Sequence, residues 1–205
     1  FKKGIFSDVI VDASKIPLSP PLLKGEIGGL EGVNLKFILK EKVVISDIKI
    51  EGNAIIPTKE LLNIIKIKKG DEYIHGRVIE TEEAIVSYYK GKGFFKAEVE
   101  TNVAQEKRPD QVAALFQITE GFRAKVAKIE FTGDKVYSDI TLSNILKIWK
   151  DLPYDEIQLD KDIKLLEDYY IKNGYIRSVI SPKRVYYDEQ NNEVSIVIHI
   201  EAGIH

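Results

Sequence analysis

The 205-residue chain contains no cysteine and no methionine, and it has one tryptophan and three histidines. Without cysteine there are no disulfides and no thiolate metal sites, and the chain suits any redox compartment. The missing initiator methionine suits a recombinant fragment. His75, His199 and His205 lie at no ligand-like spacing and read as surface residues. No apolar run approaches the roughly 18 residues that a membrane-spanning helix needs. Charge of one sign is also missing: net charge is −2 overall, and +2, −1 and −3 over residues 1–42, 43–123 and 124–205. None of these stretches is basic enough for a nucleic-acid clamp. Gly25-Glu26-Ile27-Gly28 and Gly91-Lys92-Gly93 are glycine-rich, but neither follows a strand and opens a helix as a phosphate cradle must. The acidic clusters Glu80, Glu82, Glu83 and Asp160, Asp162, Glu167, Asp168 read as solvated helix faces and partners of helix dipoles. No catalytic residue, metal ligand or cofactor site is assigned.

What the chain does have is a repeat. Ile48-Lys49-Ile50-Glu51-Gly52-Asn53 returns as Ile129-Glu130-Phe131-Thr132-Gly133-Asp134, a shift of 81 residues. Tyr73 falls on Tyr154, Tyr88 on Tyr169, and Gly93-Phe94 on Gly174-Tyr175. After one extra residue in a late loop, Thr119-Glu120-Gly121 falls on Glu201-Ala202-Gly203. Phe1 to Phe6 and Val33 to Glu41 resemble the end of a further copy. The chain therefore divides into the C-terminal part of a truncated module (1–42) and two complete modules (43–123 and 124–205). Arrays of small modules usually bind or scaffold through shared surfaces and joints.

Each complete copy predicts the order strand, helix, helix, strand, strand. Val44 to Glu51 is β-branched and stops at Gly52-Asn53. Thr58 is a candidate helix cap, with Ser138 and Asp139 at the same place in the next copy. Leu159, Ile163, Leu166 and Tyr170 recur as one helical apolar stripe. That helix ends at Lys172-Asn173-Gly174-Tyr175, where glycine takes the left-handed conformation and the aromatic folds back on the last turn. Val194, Ile196, Ile198 and Ile200 alternate with more polar positions, which predicts a strand with one face on a core.

These motifs resemble the polypeptide-transport-associated repeats, or POTRA domains, found on the periplasmic side of BamA-type outer-membrane β-barrel assembly factors. The resemblance rests on Gly52-Asn53, Gly93-Phe94 and Glu120-Gly121, repeated as Gly133-Asp134, Gly174-Tyr175 and Ala202-Gly203. Asp134 and Ala202 depart from the usual Asn and Glu. It implies an α+β fold of tandem βααββ modules, each with two helices on one face of a three-stranded mixed sheet whose last strand is central. It implies no catalysis and no cofactor. The implied partners are unfolded outer-membrane proteins and accessory lipoproteins, with no nucleic acid, and the parent protein would be anchored by a barrel outside this sequence. A two-partner secretion transporter or a division scaffold is the alternative within the family. A KH-like RNA-binding array is the alternative outside it, although 69–73 and 151–154 lack its Gly-x-x-Gly turn.

The candidate client-binding site is the second strand of the middle copy, 96–103, at the sheet edge: Lys96, Ala97, Val99, Thr101 and Val103. Its counterpart 178–187 contains Pro182, which blunts an edge. Residues 12–32, rich in proline and glycine, read as a long hairpin loop inserted in the truncated module.

Overall fold

The structure is a computed structural model that describes residues 6–15 and 33–204. It divides into two compact units, one of residues 1–48, 68–74 and 103–114, the other of 49–67, 75–102 and 115–205. Ahead of the two complete modules, β1 (Phe6–Lys15) pairs antiparallel with β2 (Val33–Glu41). Asp12, Ala13, Ser14 and Lys15 pair with Lys36, Leu35, Asn34 and Val33. The stretch read as a loop from residue 12 is thus strand as far as Lys15, because each of these backbones has a partner across the hairpin. Residues 16–32, and with them the rest of that loop and Gly25 to Gly28, lie outside the described residues.

The second module contains β3 (Val44–Glu51), α1 (Thr58–Ile64), α2 (His75–Gly91), β4 (Glu98–Gln105) and β5 (Gln111–Thr119), with strand order β3-β5-β4. The third contains β6 (Lys125–Asp134), α3 (Asp139–Ser143), α4 (Glu156–Lys172), β7 (Val179–Asp188) and β8 (Glu193–Glu201), in the order β6-β8-β7. β8 runs parallel to β6 and antiparallel to β7, so the sheet is mixed and its last strand is central.

The alternation in β8 sets the third module's core. Val194, Ile196, Ile198 and Ile200 are all buried, and they meet Leu142, Leu159, Leu166 and Tyr170 from the two helices. Each such aliphatic side chain contributes roughly 1.5–3 kcal/mol by leaving water. Ile163, on the same helical stripe, is only half-buried. The second module repeats the arrangement with Leu61, Val78, Ile85, Tyr89, Phe116 and Ile118 buried.

Helix starts differ between copies. Ser138 caps α3, its hydroxyl accepting from the Thr141 N–H at 3.2 Å. In α1 the cap position is Pro57 and no side chain caps it. Thr58 is the first helical residue, and its hydroxyl instead accepts from the Asn53 amide at 2.9 Å. Asp162 is likewise no solvated helix residue. It is fully buried and accepts from the Lys147 and Ile148 N–H groups, both at 2.8 Å, and from the Gln158 side chain. A charge can be buried on a helix when backbone donors surround it.

Candidate client-binding edge

A three-stranded sheet has two outer edges, and in both complete modules one of them is occupied. The segment between the helices lies against the first strand. The Ile45 N–H donates to the Asp71 carbonyl (2.9 Å), while the Gly70 and Tyr73 N–H groups donate to the Ile45 and Val43 carbonyls (both 2.7 Å). The third module repeats all three bonds 81 residues later: Val126 to Leu152 (2.9 Å), Asp151 to Val126 (2.8 Å) and Tyr154 to Ala124 (2.9 Å). Gly70 and Asp151, both at positive φ, turn the chain back onto the strand. These segments are the ones that lack the KH phosphate-gripping turn. They serve as edge covers, and only the repeated spacing of Tyr73 and Tyr154 hinted at it.

The opposite edges belong to β4 and β7. Among the described residues nothing covers β4 as the inter-helix segment covers β3. Val99, Thr101 and Val103 are half-buried and alternate with exposed Glu98, Glu100 and Asn102. Thr101 lies toward α2, its hydroxyl donating to the Glu82 carboxylate at 2.6 Å. On α2 itself, Glu82, Glu83, Val86, Ser87 and Lys90 line a shallow groove. Lys96 and Ala97 are not part of this edge strand. The Ala97 N–H is held by the Phe94 carbonyl at 3.2 Å and its methyl is buried, so the turn that closes α2 uses up these positions and the strand begins at Glu98. Its counterpart β7 likewise begins at Val179, one residue late, and its register with β8 breaks between Ile180 and Lys183. Ser181 and Pro182 fall in that break, so β7 offers an interrupted edge.

The remaining motif residues shape turns and joints. Gly52, at φ +86°, ends β3 where an added Cβ would stand 2.0 Å from the Ile118 carbonyl oxygen. The Asn53 amide then donates to the Ile56 carbonyl at 2.9 Å, closing the turn into α1. Gly133 occupies the same place before the exposed Asp134, whose carbonyl accepts from the Ala202 N–H. Phe94 is buried edge-on to Tyr89 (5.6 Å between centroids), and Tyr175 packs edge-on to Tyr170 (5.8 Å) after Gly174.

Gly93 has a second task. A Cβ there would stand 2.7 Å from the Tyr154 carbonyl oxygen, in the next module. The Gly93 carbonyl accepts from the Ala124 N–H (2.8 Å), and Arg123 donates to the Lys92 carbonyl (2.6 Å) and the Tyr154 carbonyl (3.1 Å). Lys92 and Arg123 lie 3.1 and 3.6 Å from the Asp155 carboxylate. Phe95 stacks on Tyr187 at 4.3 Å and leans on Tyr154 at 5.7 Å, joining the edge of the third module's core. This joint was not foreseen from the sequence, although the Phe94-Phe95 pair was its signal.

Buried polar groups in the second module centre on Glu120. Its carboxylate accepts from the Ile55 N–H (3.0 Å), the Ile56 N–H (3.3 Å) and the Tyr89 hydroxyl (2.9 Å). Burial, then this hydrogen bond, pushes the Tyr89 pKa far above its ordinary value. Among the described residues no group of three or more His, Cys, Asp or Glu side chains is placed to hold a metal.

Tandem βααββ modules, each with its inter-helix segment laid on the first strand of a mixed three-stranded sheet, define the class of fold to which this chain belongs. The POTRA family model, described as a surface antigen variable number repeat, matches residues 43–121 and 124–203, and the chain belongs to that family. It is 23% identical over 184 residues to the outer membrane protein assembly factor BamA of Buchnera aphidicola subsp. Acyrthosiphon pisum, covering 84% of this chain and 30% of the relative. To the BamA of Nitratidesulfovibrio vulgaris it is 24% identical over 183 residues, covering 84% of this chain and 23% of the relative. The chain thus spans less than a third of the length of either protein. Among solved structures, BamA of Haemophilus ducreyi lacking POTRA domains 1–3 superposes with a TM-score of 0.51 at 21% identity, over 77% of this chain and 29% of that one. POTRA domains 3–5 of Haemophilus influenzae BamA give 0.50 at 15% identity, over 79% and 67%. The two structures share the fold.

Proposed function

We propose that these modules are the periplasmic scaffold of an outer-membrane protein assembly factor, where they receive unfolded barrel proteins by strand addition at β4. The observation that carries this reading is the asymmetry of the sheet edges: β3 is covered by residues 70–73, whereas β4 has no such cover among the described residues. An extended client adding to β4 satisfies its backbone by sequence-blind hydrogen bonds. Its alternate side chains then lie over the α2 groove, where Val86 supplies apolar surface between Glu82, Glu83 and Lys90. Docking of accessory lipoproteins, and anchoring through a barrel elsewhere in the parent chain, complete the reading. Both relatives named above are outer membrane protein assembly factors, which supports it.

The test is a backbone amide titration with a labelled peptide from an outer-membrane barrel strand. Amides of residues 98–105 are expected to shift more than those of 179–188, and Val99→Pro to abolish the shifts while the helices stay folded. A folded Val99→Pro chain that binds unchanged would rule out strand addition at this edge.

A further inference from the structure

The inter-helix turns of the two complete modules share their backbone bonds and differ in their side chains. One bond closes each turn, from the Asp71 N–H to the Lys68 carbonyl (3.0 Å) and from the Leu152 N–H to the Trp149 carbonyl (3.2 Å). In the second module the turn is charged: the Asp71 carboxylate accepts from the Lys68 N–H at 2.9 Å, and Glu72 pairs with Lys42 at 3.3 Å. In the third, Lys68, Asp71 and Glu72 become Trp149, Leu152 and Pro153. Trp149, the only tryptophan of the chain, and Leu152 are 44% and 45% exposed, and Pro153 is exposed beside them. The second module builds the same turn without such residues, so the fold does not require them, and their exposure marks a contact surface. The stem of this turn is also held more firmly. Fully buried Asp162 accepts from the Lys147 and Ile148 N–H groups, both at 2.8 Å, where the second module has Thr81, whose hydroxyl donates to the Arg77 carbonyl of its own helix. A buried carboxylate is costly to desolvate, and this one fixes the turn. Around the tip stand Lys125, Lys147 and Lys150, all exposed, with Lys125 bridged to Pro153. None of the three pairs with a carboxylate among the described residues, and the turn itself adds only Asp151. A cationic turn thus sits on a module of net charge −3.

From these differences we propose that the Trp149–Pro153 turn is a membrane-surface contact. Trp149, Leu152 and Pro153 enter the interface of a bilayer, while Lys125, Lys147 and Lys150 meet its anionic phospholipid headgroups. Tryptophan suits the boundary between acyl chains and headgroups because its ring is apolar and its N–H is not. Each lysine near an anionic surface adds attraction. The size of the patch selects a bilayer over a protein. A specific protein interface takes roughly 20–30 residues a side. This patch is one turn with its flanking lysines, and a bilayer demands no complementary shape. Without an acyl chain or a long amphipathic helix the contact is weak and reversible. It shares no residue with the client-binding edge, 98–105, so either reading can fail without the other.

Because Trp149 is the only tryptophan, its fluorescence reports on this turn alone. On titration with phosphatidylcholine vesicles containing phosphatidylglycerol, its emission is expected to shift to the blue and to be quenched by bromine carried on the lipid acyl chains. Pure phosphatidylcholine vesicles and high salt are expected to weaken both effects. The double variant Trp149→Lys, Leu152→Asp installs the second module's residues and leaves the net charge unchanged. It is expected to melt as the parent does and to lose about tenfold in vesicle co-sedimentation, since the apolar part of the contact is gone. The double variant Lys147→Gln, Lys150→Gln is expected to bring binding to anionic vesicles toward that seen with neutral ones. Trp149 emission that anionic vesicles leave unchanged would overturn the proposal, as would co-sedimentation of the folded Trp149→Lys, Leu152→Asp chain equal to the parent's. A blue shift that grows with chain concentration in the absence of lipid would also overturn it, by assigning the turn to contact between copies of this chain.

Discussion

The two complete modules solve one packing problem in opposite ways. In the second, Glu120 gathers two backbone N–H groups and the hydroxyl of the fully buried Tyr89. In the third, the corresponding residue is Ala202, and the corresponding Tyr170, also fully buried, has a hydroxyl with no hydrogen-bond partner among the described residues. The amides of Val136 and Tyr137 approach it closely enough to favour its ionised form, but burial outweighs them and its pKa is raised. Both modules place an edge-on ring after the glycine, Phe94 at 5.6 Å from Tyr89 and Tyr175 at 5.8 Å from Tyr170, and the third module adds Tyr137, edge-on at 5.1 Å from Tyr170. A polar clasp and an aromatic cluster thus hold the same turn. The modules share an architecture without sharing its polar fastening.

The sharpest way to break this comparison is Glu120→Ala, which leaves the second module with three unpaired donors and with Ile56 where the third module has Tyr137. A loss of about 3 kcal/mol is expected, since each buried orphan costs roughly 1–3 kcal/mol. Hydrogen exchange of the second module's amides measures it, and protection unchanged from the parent would show that the clasp is idle. Tyr89 adds a pH signature. Its folded pKa lies above the unfolded value of about 10, so its contribution is fully present below pH ~10 and is lost as pH rises through the folded value. Tyr89→Phe is expected to flatten that alkaline decline.

Next in size is the glycine pair. Gly174→Val forces a branched side chain to φ +93° and costs about 1–2 kcal/mol. Gly93→Val has the same backbone penalty at φ +90° and also drives a Cβ into the Tyr154 carbonyl at 2.7 Å. It is therefore expected to cost more and to loosen the third module as well. Thermal melts of both variants check the order, and equal losses would mean that the close approach at Gly93 relaxes freely.

Ala202→Glu runs the comparison in reverse by returning a carboxylate to the Tyr170 hydroxyl and the Val136 and Tyr137 amides. A gain of about 1 kcal/mol in the third module is expected, the net worth of a restored buried hydrogen bond. A loss in the denaturant midpoint would show that Tyr137 now fills the space the glutamate needs.

How much of this was legible depended on whether a feature is local in the chain. The order of elements, the β8 alternation and the glycine turns follow from periodicity and backbone preference, which adjacent residues set. The edge cover at 70–73 was not legible, because its bonds use backbone groups that any residue could supply. Glu120 was visible as part of a dipeptide but not as a clasp, since its donors lie more than 30 residues away. Asp162 was misread for a related reason: its exposed neighbours on α4 imply solvent, while the donors that bury it come from 147 and 148. At the edge strand, periodicity identified Val99, Thr101 and Val103, but it could not show that the turn after Phe94 consumes Lys96 and Ala97.

The smallest expected effect lies in the joint. Asp155 both caps α4, accepting from the Gln158 N–H at 3.2 Å, and receives Lys92 and Arg123 from the preceding module's end. Asp155→Asn keeps an oxygen for the cap, because asparagine is as good an N-cap as aspartate, and removes only the charge. The ion pair is partly exposed, so its loss is expected to cost no more than about 0.5 kcal/mol. That is too little to unfold either module, yet it acts on a hinge held otherwise by Phe95, Gly93 and Arg123. Residual dipolar couplings are therefore expected to show a wider spread of inter-module orientations in Asp155→Asn at low salt, and the same spread in parent and variant at 1 M salt, where the Debye length of about 3 Å screens the pair. If the parent is insensitive to salt and equal to Asp155→Asn throughout, the pair of Lys92 with Asp155 does not order the joint, which then rests on Phe95 and the hydrogen bonds of Gly93 and Arg123.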